Sequence, residues 1–186
     1  MQQCQTKSVT LVLGGVRSGK SRYAQQLAER WDRVTFVATA EHRDDAEMRA
    51  KIERHRADRP MHWKTIEEPL HLNLAIEQAS ADSDAVLVDC RTLFAASLLE
   101  ANAEDLRARR AAIDCFCDAL IAATCTVILV SNEVGSGVVP AYASGRRFRD
   151  LMGELNQRIA ALADTVLLMV AGLPLAVKAA AAGAPR

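Results

Sequence analysis

Gly14-Gly15-Val16-Arg17-Ser18-Gly19-Lys20-Ser21 follows the apolar run Val9-Thr10-Leu11-Val12-Leu13 and opens a helical pattern over 18–31. The octapeptide fills every fixed position of G-x-x-x-x-G-K-[ST]. Average residue usage makes a chance match in such a chain roughly a one-in-a-hundred event. Strand, glycine-rich turn and helix in that order let backbone N–H groups converge on phosphate oxygens at a helix N-terminus. There Lys20 supplies positive charge to the β and γ phosphates of a nucleotide, and the Ser21 hydroxyl is a ligand for Mg2+. The plainer alternative is a glycine-rich turn with an exposed lysine.

Working outward, further apolar, β-branched runs stand at 34–38, 85–88, 126–130 and 165–170. Strands this uniformly apolar are covered on both faces, as in a parallel sheet. Helical patterns occupy 45–56, 70–79, 93–101, 103–123 and 145–163, with Pro69 suited to the first turn of the second. The alternation predicts right-handed βαβ units with ligands at the carboxyl ends of the strands. The expected fold is α/β: P-loop NTPase-like (RecA-like), a doubly wound, mostly parallel sheet flanked by helices. One nucleotide-binding domain is expected over 1–186, with 1–7 and 179–186 flexible.

Composition narrows the function. Of 186 residues half are hydrophobic and a quarter charged, an ordinary globular balance. Lys plus Arg (23) equals Asp plus Glu (23), so no basic surplus points to nucleic acid. No apolar run approaches the ~20 residues that span a bilayer. The N-terminus lacks a signal-peptide core, which places the protein in the cytoplasm. Five cysteines, an odd number, read as reduced thiols, with Cys115, Cys117 and Cys125 packed as small hydrophobes. Neither the pair His55 and His62 nor the pair Cys115 and Cys117 has zinc-ligand spacing.

Asp89 directly follows 85–88, where a P-loop enzyme keeps the acid that helps hold Mg2+. Coordination through water suits an ion that gives up its hydration shell reluctantly. Asp also commonly ends strands as a turn residue. A GTPase switch is disfavoured, because Asp150-Leu151-Met152-Gly153 lies in a helical pattern and Ser131-Asn132-Glu133-Val134 replaces N-K-x-D. The stretch Arg54-His55-Arg56-Ala57-Asp58-Arg59-Pro60-Met61-His62-Trp63-Lys64-Thr65-Ile66-Glu67, by its residues alone, is a solvated helix end leading into a loop.

Taken in order, the P-loop, His55-Arg56-x-x-Arg59-Pro60-x-x-Trp63-x-Thr65-x-Glu67, Val88-Asp89-Cys90 and Asn132-Glu133-Val134-Gly135-x-Gly137-Val138-Val139-Pro140 resemble one family. Arg146-Arg147-Phe148-Arg149-Asp150, Asn156-Gln157 and Ala163-Asp164 continue the match, which covers roughly 9–178. The chain resembles the bifunctional adenosylcobinamide kinase/adenosylcobinamide-phosphate guanylyltransferases of cobalamin biosynthesis.

The resemblance implies phosphorylation of adenosylcobinamide from ATP or GTP. Transfer of GMP from GTP onto that phosphate follows through a GMP-histidine intermediate at His55. It further implies nucleotide contacts at Gly14, Gly15, Val16, Arg17, Ser18, Gly19, Lys20, Ser21, Ala38, Thr39, Ala40, Arg56, Ala57, Asp58, Arg59, Glu67 and Asp89. Mg2+ at Ser21 and Asp89, and a homotrimer, complete the expectation.

A neutral imidazole is a competent nucleophile near pH 7, and two successive displacements constitute covalent catalysis. Arg56 and Arg59 beside His55 would offset charge on the transferring group and depress the histidine pKa. The segment Arg91-Thr92-Leu93-Phe94-Ala95-Ala96-Ser97, and Ala141-Tyr142 after Pro140, depart from the family pattern at places able to touch substrate or a subunit interface. Arg146, Arg147 and Arg149 read as corrinoid-phosphate or lid contacts, or simply as a basic first helical turn. Two competing readings are a P-loop small-molecule kinase with a structural histidine segment, and a non-catalytic nucleotide-binding module.

Overall fold

The computed structural model describes residues 7–39, 59–89, 91–101 and 105–179. The described elements are β1 (Val9–Gly14), α1 (Lys20–Ala28), β2 (Val34–Ala38), β3 (Lys64–Glu67), α2 (Leu72–Asp82) and β4 (Ala85–Asp89). They continue with α3 (Arg91–Ala101), α4 (Leu106–Ala122), β5 (Thr126–Asn132), α5 (Ala143–Leu162), β6 (Thr165–Val170) and β7 (Leu173–Lys178). All seven strands form one sheet in the order β3-β2-β4-β5-β1-β6-β7. Every pairing is parallel except the β6–β7 hairpin.

The expected α/β sheet is present, and its central strands are apolar for the expected reason. On one face Leu72 and Ile76 of α2, Phe94 and Leu98 of α3, Ile113 and Leu120 of α4, and Leu155 and Ile159 of α5 pack on Leu11, Val86, Val88 and Leu129. On the other face Ala24 and Ala28 of α1 meet Val12, Phe36, Leu87, Ile128 and Val130. Successive strand residues thus serve opposite layers, and each fully buried Leu or Ile stabilises by about 1.5–3 kcal/mol. Phe94 lies in the segment that departs from the family pattern; its ring sits 5.5 Å from that of Phe116, inside the core. Packing accounts for that aromatic side chain.

Several expectations need correction. β3 falls in the stretch read as helix end and loop. Among the described residues it pairs only with β2, and it buries little of itself, so its alternation is weak. β7 was not expected either. Its Pro174 lacks an N–H, which a sheet tolerates at an edge. Ala171 (φ 51) and Gly172 (φ 84) supply the two positive φ angles of a tight hairpin turn.

Pro69 precedes α2 rather than entering it: the Glu68 carboxylate accepts from the N–H groups of Leu70 and His71 (2.9 and 2.8 Å), outside the helix. Cys117 and Cys125 are buried as expected, but Cys115 faces solvent, since residues two apart on α4 lie on different faces. Burial pushes the Cys125 thiol pKa up, keeping it protonated. Lys7 donates its Nζ to the carbonyl of Ile121. The helix expected over 45–56 lies outside the described residues.

At the opposite end of the sheet from the loop, the strand starts are tied together by Asp84. Its carboxylate accepts from Arg33 N, Nε and Nη2 at 3.2, 3.2 and 2.7 Å. Hydrogen bonds from the Arg33 side chain hold the Asp84 pKa below the ordinary carboxylate value, against a smaller opposing effect of burial. A group depressed in the folded state stabilises above its unfolded pKa, and that contribution is lost as pH falls through the folded value. Asp84→Asn should therefore lower the urea midpoint at neutral pH. The gap to wild type should close as pH drops below about 4.

Candidate nucleotide site

The phosphate loop owes its shape to two left-handed residues. Arg17 (φ 57) and Gly19 (φ 90) turn the chain so that it curls between β1 and α1. Such curls gather N–H groups into an anion-binding concavity. Ser18 N donates to Gly15 O (3.3 Å), and Lys20 Nζ folds back over the loop to the same carbonyl at 3.1 Å. α1 starts at Lys20 with Gly19 as its N-cap, no capping side chain and no acidic residue in its first turn. Its partial positive end is therefore left for a ligand anion. The Ser18 hydroxyl is buried without a hydrogen-bond partner in this cradle.

Gly14 is required by space. A Cβ there would stand 2.3 Å from Ser18 Oγ and 3.0 Å from the backbone oxygen of Met169, whereas at Gly15 nothing lies within 4 Å. Gly14→Ala should weaken nucleotide binding about tenfold through strain of 1–3 kcal/mol, and Gly15→Ala much less. Titration with a fluorescent GTP analogue checks both.

The expected acid stands across the loop's own face of the sheet. Ala85 and Leu87 of β4 pack on the α1 side, so alternation puts Asp89 on that side as well. β5 lies between β1 and β4, so Asp89 is two strand spacings, about 10 Å, across the sheet from β1 and two residues short of its end. That gap suits contact through water better than direct coordination shared with Ser21. Ser21 is half-buried in the first turn of α1. Among the described residues no group of three His, Cys, Asp or Glu could hold a metal. One hydroxyl and one carboxylate, with waters and phosphates completing the shell, is what Mg2+ takes in nucleotide sites.

The other expected contacts divide. Ala38 pairs with Asp89 on one side and Glu67 on the other, so these three end their strands in one row. Thr39 follows, fully buried. The Arg59 guanidinium lies over the Phe36 ring, 3.6 Å from its centroid, again on the α1 face. Ala40, His55, Arg56, Ala57 and Asp58 lie outside the described residues. Arg146 turns inward to the loop before its helix, donating Nη1 to the carbonyls of Pro140 (3.0 Å) and Ala141 (2.7 Å). Asp150 and Gly153 are within α5, as their helical pattern indicates.

Sequence reasoning missed two supports of the site. Gly172 N–H donates to Ser18 O at 3.0 Å, so the β6–β7 turn buttresses the loop. A Cβ on Gly19 would come within 3.1 Å of Gly172 Cα. The two-residue turn before Leu173-Pro174-Leu175 was the available signal. The second support is a buried polar set: Ser131 Oγ donates to Asn156 Oδ1 (2.6 Å), and Asn156 Nδ2 to Asn132 O (3.1 Å).

A parallel sheet whose first strand ends in a glycine curl under a lysine defines a P-loop nucleotide-binding protein of the α/β class. A type III secretion ATPase from pathogenic bacteria shares that fold, with a TM-score of 0.56 and 10% identity over 87% of this chain and 51% of that one. The chain belongs to the cobinamide kinase / cobinamide phosphate guanyltransferase family, whose family model matches residues 10–177.

The bifunctional adenosylcobalamin biosynthesis protein CobU of Salmonella typhimurium is 43% identical over 179 residues, covering 90% of this chain and 98% of that one. CobP of Pseudomonas aeruginosa, of the same description, is 43% identical over 171 residues, covering 90% and 96%. The resemblance drawn from the motifs is thereby borne out. The chain is a transferase of cobalamin biosynthesis with kinase and guanylyltransferase activities.

Proposed function

We propose that this chain, as a single domain, phosphorylates the aminopropanol hydroxyl of adenosylcobinamide from ATP or GTP. It then transfers GMP from GTP to adenosylcobinamide phosphate through a GMP adduct on His55, giving adenosyl-GDP-cobinamide and pyrophosphate. The observation that carries this reading is the curled loop of Gly14 to Ser21 with Lys20 folded over it, in a chain of this family.

Each residue has a role that its chemistry permits. The loop amides and the start of α1 bind the phosphates, and Lys20 offsets charge on the leaving diphosphate or pyrophosphate. His55 is the nucleophile at the α phosphorus, and Arg56 and Arg59 offset charge on the transferring group. Ala38, Thr39, Ala40, Ala57, Asp58 and Glu67 complete the nucleotide contacts. Ser21 and Asp89 would hold Mg2+, which neutralises phosphate charge when bound.

For the corrinoid, the loop after β5 presents Val138 (96% exposed) and Tyr142 (67%) to solvent beside the P-loop strand, surfaces suited to an apolar macrocycle. Val170, Leu173, Leu175 and Val177, exposed along the β6–β7 hairpin, favour the homotrimer, which light scattering would report. No described helix is long and apolar enough to cross a membrane. A cytoplasmic setting agrees with the nucleoside triphosphates it uses.

The test is incubation with α-labelled GTP, alone and with adenosylcobinamide. An acid-labile, base-stable protein label and formation of adenosyl-GDP-cobinamide are expected. Tight GTP binding with neither label nor turnover would overturn the reading.

A further inference from the structure

β5 is the strand between the phosphate loop and the acid: its neighbours are β1 and β4. Neighbouring strands lie about 4.8 Å apart, so whatever ends β5 stands between loop and carboxylate. That residue is Asn132, paired with Gly14 where β1 hands the chain to the loop. Val88 pairs with Leu129, so β5 runs past the end of β4 toward the phosphates.

Side-chain direction follows from alternation. Ile128 and Val130 pack in the cluster that holds Ala24 and Ala28 of α1, and Asn132 continues that series. Asn132 and Asp89 therefore share the face on which α1 begins with Lys20 and Ser21. The intervening Ser131 points to the other face, where its hydroxyl meets Asn156 of α5.

The end of β5 is held from both sides. Asn156 Nδ2 donates to the Asn132 carbonyl at 3.1 Å, and Glu133 N–H donates to Gly14 O at 3.0 Å. Ser131 is fully buried and Asn156 is 7% exposed, so these bonds are shielded from competing water. Asn132 Oδ1 is itself out of contact with solvent. A strand end fixed in advance beside a charge-transfer centre needs no backbone reorganisation when charge moves.

We propose that Asn132 is a catalytic residue of the kinase step, donating Nδ2–H to an oxygen of the transferring γ-phosphoryl group. This rests on the kinase activity proposed above. In the step, the acceptor hydroxyl oxygen bonds to the γ phosphorus as the bond from that phosphorus to the β–γ bridging oxygen breaks. The electron pair leaves with the nucleoside diphosphate, and the hydroxyl proton passes to solvent. A neutral amide bonded to ground-state triphosphate replaces one hydrogen bond to water with another, at small net gain. Its effect is concentrated where the three equatorial oxygens carry transferring charge, so it acts on kcat rather than on nucleotide affinity.

The experiment compares wild type, Asn132→Ala and Asn132→Asp. It measures kinase kcat and KM with adenosylcobinamide and ATP, ATP-analogue affinity by fluorescence, and label transfer from α-labelled GTP. Asn132→Ala should lower kinase kcat about 10²-fold with analogue affinity within about threefold, and should spare attack at the α phosphorus. Asn132→Asp, nearly isosteric and the safer folder, should be as slow at neutral pH. Its deficit relative to wild type should shrink toward the carboxyl range, where the protonated acid donates again.

Unchanged kcat in either folded variant would overturn the proposal. So would parallel losses of kcat and nucleotide affinity, which mark a merely structural asparagine. Wild type unable to phosphorylate adenosylcobinamide would instead overturn the functional reading on which the proposal stands.

Discussion

Lys20→Ala should slow both phosphorylation and guanylyl transfer by about 10²–10³-fold, the usual cost of removing one aligned positive donor from a phosphoryl site. The ammonium already lies over the loop on the carbonyl of Gly15, so its position is set before nucleotide arrives. In the proposed mechanism both reactions expel a phosphate chain held by the same loop, which is why one substitution should damage both. The side chain is only half-buried and packs in neither core cluster, so the melting temperature should change little. Arginine should not restore activity, because its planar fork cannot replace a compact ammonium inside a backbone curl. Steady-state assays of the two reactions, run beside circular-dichroism melts, provide the check. Retention of either activity within tenfold would remove Lys20 from the machinery.

His55→Ala should separate the reactions that Lys20→Ala damages together. No GMP adduct should form from GTP, and guanylyl transfer should fall by at least about 10³-fold, as expected when the nucleophile of a two-step displacement is lost. Attack at the γ phosphorus needs no GMP adduct, so adenosylcobinamide phosphate should accumulate. Peptide mapping by mass spectrometry locates the adduct in wild type, and chromatography follows the corrinoid products. An adduct that persists in His55→Ala would assign the nucleophile elsewhere. Joint loss of both reactions in a folded variant would make His55 part of the shared phosphate site.

The parts of the fold readable in advance are those where local and global demands agree. β1, β2, β4, β5 and β6 are apolar because layers cover them on both faces, so their composition alone marks them. β3 and β7 are edge strands, paired on one side and open to solvent, and nothing obliges their residues to be apolar or alternating. Helix ends shifted wherever a contact off the helix set the boundary, as at Glu68 before α2. Cys115 and Cys117 were read alike, yet α4 turns one outward and the other inward.

The site shows the same division. The glycine curl is contiguous in sequence, so Gly14 to Ser21 are legible from the motif alone. Asp89 was placed by one rule, that ligands gather at strand ends, and the sheet adds that β5 separates it from β1. Arg59 illustrates what that rule cannot supply. Its guanidinium lies over the ring of Phe36, a neighbour set by how β2 lies in the sheet.

By itself the sequence determined the class of layer architecture, the phosphate-binding turn and the family, because each is written in adjacent residues or in a period that the backbone enforces. Only the folded chain decided that the β6–β7 turn braces Ser18, that Ser131 and Asn156 anchor the end of β5, and that Asn132 faces α1. Those relations join residues far apart along the chain. Strand order and the two-residue alternation of side chains, which no single segment encodes, bring them together.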